Sequence, residues 1–419
     1  MNDKGKSRND RKIANFGDAA ETRETDNASG MGSAGTTTDS NPAFQQLLVH
    51  ADDRPRPTAD RRVVAELLAL RGLAGDFVVP AGRDAWRPLL AYNRLRPARV
   101  RIARAGLALA IAGGLGRLVG EPRTLTARPG DRVLLDYLST ALGEPHLVFA
   151  GTDRPCREFV TPVLQLFTVE GRCIGFAKIG WDPVTQRMID DEADALRRVR
   201  AASPSGVRVP DVLWHGYWQG LAVMVTAPMP TDIRRLPRRA RVPVDPLAEI
   251  AAVDGPVAPM ALGTSEYLHD AMETGFAAAT VGRRDVLHRA ERITADFGEL
   301  DLTFGRWHGD WVPWNLGRSR DTLFAWDWAY SATAVPLGFD AMHFAAIPAE
   351  VLGGASRTEA ATHAAEVTEP ALRALGLDDD QVRAVVDLHR LELELRDARA
   401  WLLRREIATT SGSTGTARA

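Results

Sequence analysis

The spacing of apolar and polar positions changes character twice along the 419-residue chain. Residues 1–41 show neither a helical nor a strand period and are rich in Gly, Ser, Thr, Asp and Asn, which predicts a disordered tail. From 42 to 144 the spacing predicts a helical segment, with helices at 60–71, 97–119 and 134–142. The second of these opens with Arg99, Arg101 and Arg104 and runs into an Ala/Leu/Ile stretch. Buried helices are apolar all round, so the preferred reading is a core helix with a solvated basic start. A face lying on a membrane surface or on a partner is the competing one.

At 145 the period shortens. Runs at 146–150, 162–170 and 172–179 read as strands, the last two joined by a hairpin signal at Glu170-Gly171. Residues 209–226 read as two more strands around Gln219-Gly220, closing on Ala227-Pro228-Met229-Pro230. From 231 the chain becomes helical again: an arginine-rich connector at 231–241, then helices at 265–280 and 286–297. Val385, Leu388, Leu391, Leu395, Ala398 and Leu402 recur at steps of three or four, the signature of an amphipathic helix. Residues 409–419 form a second Gly/Ser/Thr tail.

Composition narrows the function classes. Apolar residues are 45% and charged residues 25% of the chain, the globular norm, and a formal net charge of -2 gives no footprint for nucleic acid. The two cysteines, Cys156 and Cys173, lack metal-ligand or redox-motif spacing. The N-terminal stretch has no apolar core of signal-peptide length, and the apolar run 105–116 is too short to span a bilayer. Residues 212–231 are longer and free of Asp, Glu, Lys and Arg, but His215, Gln219 and two prolines argue against a membrane helix. The expectation is a soluble, cytoplasmic protein.

Chemistry concentrates at 306–339. Asp310 is followed five residues later by Asn315 and twelve further on by Asp327, just past the apolar run 323–326. A loop followed by a strand would bring the three side chains together. Phosphoryl transfer needs a carboxylate to take the proton of an attacking hydroxyl and oxygen ligands for Mg²⁺ on the nucleotide phosphates. Asp310 suits the first role, Asn315 and Asp327 the second. Singly, each is an ordinary turn or cap residue; the joint spacing and the flanking aromatics carry the signal. On the run 172–179, Ile174, Phe176 and Lys178 share a face. A lysine among apolar neighbours needs a counter-charge, assigned to Glu192 in the helical run 189–200. Alternatively, Lys178 guards a strand edge and Glu192 sits on a solvated face beside Asp190, Asp191 and Asp194.

The text His308-Gly309-Asp310-x4-Asn315, then an apolar strand ending in Asp327, resembles the aminoglycoside phosphotransferase and choline kinase-like branch of the protein kinase-like fold. The resemblance spans roughly 146–403 and implies an α+β, bilobal protein kinase-like fold. A small antiparallel β lobe at 145–230 and a larger helical lobe at 231–408 would follow the helical extension 42–144, which the resemblance does not cover. It implies Lys178 and Glu192 as the small-lobe ion pair, Gly151 and Thr152 at the start of a phosphate-covering loop, and Ala227 and Met229 at the hinge that holds the base. Phe176 would reshape the base pocket, so ATP and GTP both stay open as donors. His308 would be structural; Asp340 would anchor the catalytic loop, although capping a helix from Ala341 would account for it equally. The family often places an acidic residue two positions after the metal aspartate, where this chain has Ala329. The implied function is a Mg²⁺-dependent phosphotransferase acting on a hydroxyl of a sugar, amino sugar or amino alcohol. A catalytically weak nucleotide-binding pseudokinase serving as a scaffold or regulatory module is the alternative.

Overall fold

The computed structural model describes residues 47–51, 61–71, 77–82, 85–91, 95, 98–152 and 160–413, with backbone alone at 404 and 406–413. The first expected tail, 1–41, therefore lies outside the described residues, as does 414–419 of the second. The described chain divides into two compact units. One runs up to Arg197 and takes in Val209–Arg234; the other comprises Arg198–Arg208 and everything from Arg235.

The first unit is built on an eight-stranded sheet. Its strands are β2 (Arg62–Leu70), β3 (Phe77–Pro80), β4 (Glu121–Ala127), β6 (Val148–Thr152), β7 (Val163–Phe167), β8 (Cys173–Gly180), β9 (Val212–Trp218) and β10 (Leu221–Thr226). They lie in the order β4-β2-β3-β6-β7-β8-β10-β9, every pairing antiparallel. A two-stranded ribbon of β1 (Val49–His50) and β5 (Arg132–Val133) stands beside it in sequence. The expected hairpins are present: Thr168 donates to the Arg172 carbonyl around Gly171 at φ 83°, and Gln219-Gly220 turns with both φ values positive.

One expectation is corrected here. Residues 60–71 were expected as a helix, and the segment 42–144 as helical; instead 62–70 form β2, and β2, β3 and β4 enlarge the sheet. The sequence Val-Val-Ala-Glu-Leu-Leu-Ala-Leu is apolar on both strand faces, a pattern that periodicity cannot tell from a buried helix. The packing shows why the strand wins. Leu67 and Ala69 join one core with Phe149, Leu164, Ala177 and Val223, whereas Leu68 and Leu70 join another on the opposite face with Phe77, Val79 and Phe167.

Helices cover both faces. Helix α1 (Trp86–Ala91) and α2 (Ala98–Ala112) supply Leu89, Ala108 and Ile111 to the second core, and α3 (Leu134–Leu142) supplies Leu134, Leu135 and Leu138 to the first. The expected helix at 97–119 breaks at Gly113-Gly114 and resumes as a single turn, Gly116–Val119. Arg104 is buried with its guanidinium 4.7 Å from the Phe77 ring centre, while Arg99, Arg101, Ile102 and Leu109 face outward. Helix α4 (Pro183–Ala202) follows β8. Among the described residues no helix is long and apolar enough to cross a membrane.

The second unit is mainly helical. It contains α5 (Glu266–Ala279), α6 (Arg284–Phe297), α7 (Phe339–Val351), α8 (Arg357–Ala374) and α9 (Asp379–Ser413). Ser265 caps α5 by accepting from the Leu268 N–H, and Ser356 with Glu359 forms a capping box on α8. Val385, Leu388, Leu391, Leu395 and Ala398 are fully buried, as their spacing predicts, and Leu402 is half-buried. The backbone of α9 continues past 409 to Ser413, into the stretch expected as tail. After the two-residue strand β11 (Arg234–Arg235), strands β12 (Pro259–Ala261), β13 (Asp301–Trp307) and β16 (Ala332–Pro336) form a small antiparallel sheet, and β14 (Leu316–Ser319) and β15 (Thr322–Ala325) a hairpin.

The placement of β2 is testable by unfolding in urea. Leu70→Ala, at a position 1% exposed, is expected to cost about 2–5 kcal/mol. Val63→Ala, at a position 55% exposed, is expected to cost under about 0.5 kcal/mol. Equal small effects would contradict the two-faced burial of this strand.

Candidate active site

Strand β13 delivers the chain at Trp307 into a tight loop, His308-Gly309-Asp310. Gly309 has φ 84°, and a Cβ there would collide with the Tyr330 carbonyl, so the turn requires glycine. The loop is gripped from two sides. The buried Asp340 carboxylate accepts the His308 N–H at 2.7 Å and the Gly309 N–H at 3.1 Å. From α9, Arg396 donates to the Gly309 carbonyl at 2.7 Å while its guanidinium lies 4.5 Å from the Trp307 ring centre and 4.9 Å from that of Tyr330.

His308 is fully buried between Trp311 and Trp328, and burial lowers its pKa to about 4. The neutral ring has both nitrogens committed: Nδ1 accepts the Asp310 N–H at 3.1 Å, which leaves Nε2–H to donate to the Trp326 carbonyl at 3.1 Å. A ring held this way locks the loop to the residue before Asp327. With both ring nitrogens in these bonds, neither is left for nucleophilic attack.

Asp340 was expected to cap a helix from Ala341 and also to anchor the loop, capping alone being enough to account for it. Its carboxylate meets the loop N–H groups, and the expected cap is absent: α7 begins at Phe339, its cap position is Gly338 at φ 108°, and no side chain caps it.

Asp310 and Asn315 are brought into contact, and the Asp327 charge lies close enough to act on Asp310. Asn315 turns its amide nitrogen toward Asp310, donating to Oδ2 at 2.7 Å and to the backbone carbonyl at 3.1 Å. Its Oδ1 is thereby left as the atom that can face a cation. The Asn315 carbonyl also accepts the Trp326 N–H at 3.1 Å, tying the short helical turn Pro313–Asn315 to the end of β15. Asp327 follows at φ 72°, a left-handed backbone that aims it out of the strand direction. Burial raises the Asp310 pKa, and the charge of Asp327 raises it further, which places two carboxylates within electrostatic reach of each other. An all-oxygen pair, Asn315 Oδ1 and Asp327, beside a second carboxylate fits a hard divalent ion of the Mg²⁺ type, which keeps waters and phosphate oxygens in its remaining positions. Among the described residues no group of three or more His, Cys, Asp or Glu side chains is placed to hold a metal ion, so a cation here would lean on the Asn315 amide oxygen and on ligands from outside the chain.

In the first unit, Lys178 sits on β8 between β7 and β10, opposite Val163 and Met224. Its ammonium contacts both carboxylate oxygens of Glu192 at 2.7 Å, with side-chain exposures of 14% and 3%. The strand-edge and solvated-face readings of these two residues are thereby set aside. Asp190 and Asp194 have different partners: Asp190 takes His215 and Tyr217, and Asp194 lies 3.6 Å from Arg197. Gly151 and Thr152, expected in the phosphate-covering loop, instead end strand β6, paired with Val78 and Phe77; Asp153 and Arg154 of that expected loop lie outside the described residues. The Ala227 N–H donates to the Asp211 carbonyl at 2.8 Å, and Met229 is half-buried.

Arg396, His343 and His389 also reach this site, although no motif in the sequence marks them. His343 Nε2 lies 3.2 Å from Asp310 Oδ1, and its Nδ1 lies 3.4 Å from His389 Nε2. The available signal was polar residues at buried helical spacing: His343 stands three after Asp340, and His389, Glu392 and Arg396 interrupt the apolar stripe of α9.

No protein-family model and no curated protein matches the chain. Among solved structures it is similar to aminoglycoside phosphotransferase APH(4)-Ia in a ternary complex with AMP-PNP and hygromycin B, at 13% identity over 68% of this chain and 99% of that one, with a TM-score of 0.42. It is also similar to a glucosamine kinase, at 12% identity over 88% and 99% of the two chains with a TM-score of 0.33. Choline kinase LicA from Streptococcus pneumoniae matches at 14% identity over 54% and 89%, with a TM-score of 0.30.

Asp340 supplies a test of the loop anchor. Burial raises its pKa to about 7, against the two backbone donors and Arg396, which act to lower it. Unfolded aspartate titrates near 3.9, so between about pH 4 and about pH 7 the folded chain holds a proton that the unfolded chain has released. This contribution is full below about pH 4 and is lost as pH rises through about 7. In urea unfolding across that range, the wild type is expected to lose stability relative to Asp340→Asn as pH rises. A relative gain would contradict the burial of Asp340.

Proposed function

We propose that the chain is a small-molecule kinase of the aminoglycoside phosphotransferase and choline kinase-like kind. It would move the γ-phosphoryl group of ATP or GTP to a hydroxyl of a sugar, amino sugar or amino alcohol, in the cytoplasm where such donors are available. The observation that carries this reading is the turned amide of Asn315: its nitrogen holds Asp310, which frees its oxygen for a cation shared with Asp327. A turn or cap residue has no need of that arrangement.

Asp310 is assigned to align the acceptor hydroxyl and take its proton as the new oxygen–phosphorus bond forms and the bond to the β-phosphate oxygen breaks, releasing the nucleoside diphosphate. A raised pKa suits a carboxylate to that work. Asn315 and Asp327 would hold Mg²⁺, which when bound neutralises phosphate charge. Lys178, oriented by Glu192, is assigned to the nucleotide phosphates. Gly151, Thr152, Ala227 and Met229 are assigned to the nucleotide, with Ala227 contributing its carbonyl, since its N–H is taken.

The test is transfer of label from γ-labelled ATP and GTP, with Mg²⁺, into a small-metabolite extract. Labelled product is expected from the wild type. Asp310→Ala is expected to lower turnover by about 10²–10⁴-fold while leaving Mg-nucleotide binding largely unchanged. Retained turnover in that variant would overturn the role of Asp310. Nucleotide binding without any transfer by the wild type would favour the pseudokinase reading, to which Ala329 lends itself.

A further inference from the structure

Behind Asp310 lies a chain of two histidines for which phosphoryl transfer by itself has no use. His343, on α7, is 2% exposed and His389, on α9, is fully buried. Their rings meet edge to face at 5.6 Å, and Trp307 and Phe339 enclose them, each edge to face with one of the rings. The order is Asp310 Oδ1, then His343 Nε2 at 3.2 Å, then His343 Nδ1 to His389 Nε2 at 3.4 Å. His389 Nδ1 is buried with no hydrogen-bond partner among the described residues.

Two neutral histidines can share their protons along this line in two ways. In the first, His389 Nε2–H donates to His343 Nδ1, His343 Nε2–H donates to the carboxylate, and the atom left over is the lone pair of His389 Nδ1. In the second, His343 Nδ1–H donates to His389, a bare Nε2 faces the Asp310 oxygen, and an N–H is orphaned at His389 Nδ1. The first gains a hydrogen bond to a carboxylate and orphans only an acceptor; the second opposes two acceptors and buries an unsatisfied donor. The first therefore prevails. Burial also pushes both imidazoles well below their ordinary range, so neither supplies a positive charge and the chain orients the carboxylate without pairing with it ionically.

We propose that His343 is a positioning residue for Asp310, held in its Nε2–H form by His389, so that the carboxylate is clamped between His343 on Oδ1 and Asn315 on Oδ2. Its kinetic consequence rests on the phosphotransferase reading; its proton placement does not. With both oxygens held, the carboxylate plane is fixed before an acceptor arrives. Such pre-positioning raises kcat and leaves nucleotide binding alone.

The experiment has two readouts on the full chain. The first is long-range ¹⁵N–¹H spectroscopy of histidine-labelled wild type near neutral pH, with His343→Gln and His389→Leu to assign the signals. His343 is expected as a single Nε2–H tautomer in the wild type, lost or mixed in His389→Leu. An Nδ1–H tautomer in the wild type overturns the proposal. The second is steady-state transfer kinetics. His343→Leu is expected to lower kcat about 10–100-fold with the nucleotide KM nearly unchanged. His343→Gln, whose amide N–H reaches the place of Nε2–H, is expected to recover most of that loss. A His343→Leu variant as active as wild type, or a folded Gln variant no better than Leu, overturns the proposal. Should the Leu variant fail to fold, the Gln variant and the wild-type spectrum still decide. If the wild type transfers no phosphate at all, the phosphotransferase reading fails while the tautomer still tests the placement of the proton.

Discussion

A buried carboxylate accepting two consecutive backbone N–H groups holds this site together. Asp340 takes the His308 and Gly309 amides in a place from which water is excluded, and burial alone would make its charge costly there. The two donors and the nearby Arg396 guanidinium offset part of that cost. In return, the first turn of α7 is fastened to the residues just past β13, where Gly309 turns the chain. Arg396 completes the grip by holding the Gly309 carbonyl from α9, so the short loop is satisfied on both its donor and its acceptor side.

From that anchor the rest of the site follows by short covalent and hydrogen-bonded steps. His308, held neutral between two tryptophans, passes the constraint to the Asp310 N–H on one side and to the Trp326 carbonyl on the other. Asp310 and Asp327, seventeen positions apart in sequence, are thereby referred to one imidazole ring. Asn315 then fixes Asp310 through its amide nitrogen, which leaves its oxygen out of those two bonds. The result is a cluster of carboxylate and amide oxygens whose mutual repulsion a divalent cation would relieve. In the other unit, the Lys178–Glu192 pair is satisfied within the sheet and its following helix, both carboxylate oxygens on one ammonium.

The legible parts of the sequence were those in which chemistry and period agree. Asp310, Asn315 and Asp327 announce themselves because three polar groups interrupt an apolar, aromatic stretch at fixed steps, and the Lys178–Glu192 pair because an inward lysine on a strand demands an acid. Strand β2 was not legible. Its residues are apolar on both faces, and only the second layer of helices packed on the sheet distinguishes a doubly buried strand from a core helix. His343, His389 and Arg396 were hidden for another reason. They sit at core positions of α7 and α9, where their partners come from segments tens of residues distant, so no local pattern separates a buried polar network from an imperfect apolar stripe.

A cation held by Asn315 and Asp327 would have to strengthen nucleotide binding. Titration calorimetry of ATP and GTP into the wild type and Asp327→Asn, each with Mg²⁺ and with a chelator, measures this without any knowledge of the acceptor. The prediction is that Mg²⁺ strengthens nucleotide binding by the wild type and that this gain is lost in Asp327→Asn. Equal affinity with and without Mg²⁺ in the wild type, or an undiminished Mg²⁺ gain in the variant, would contradict it.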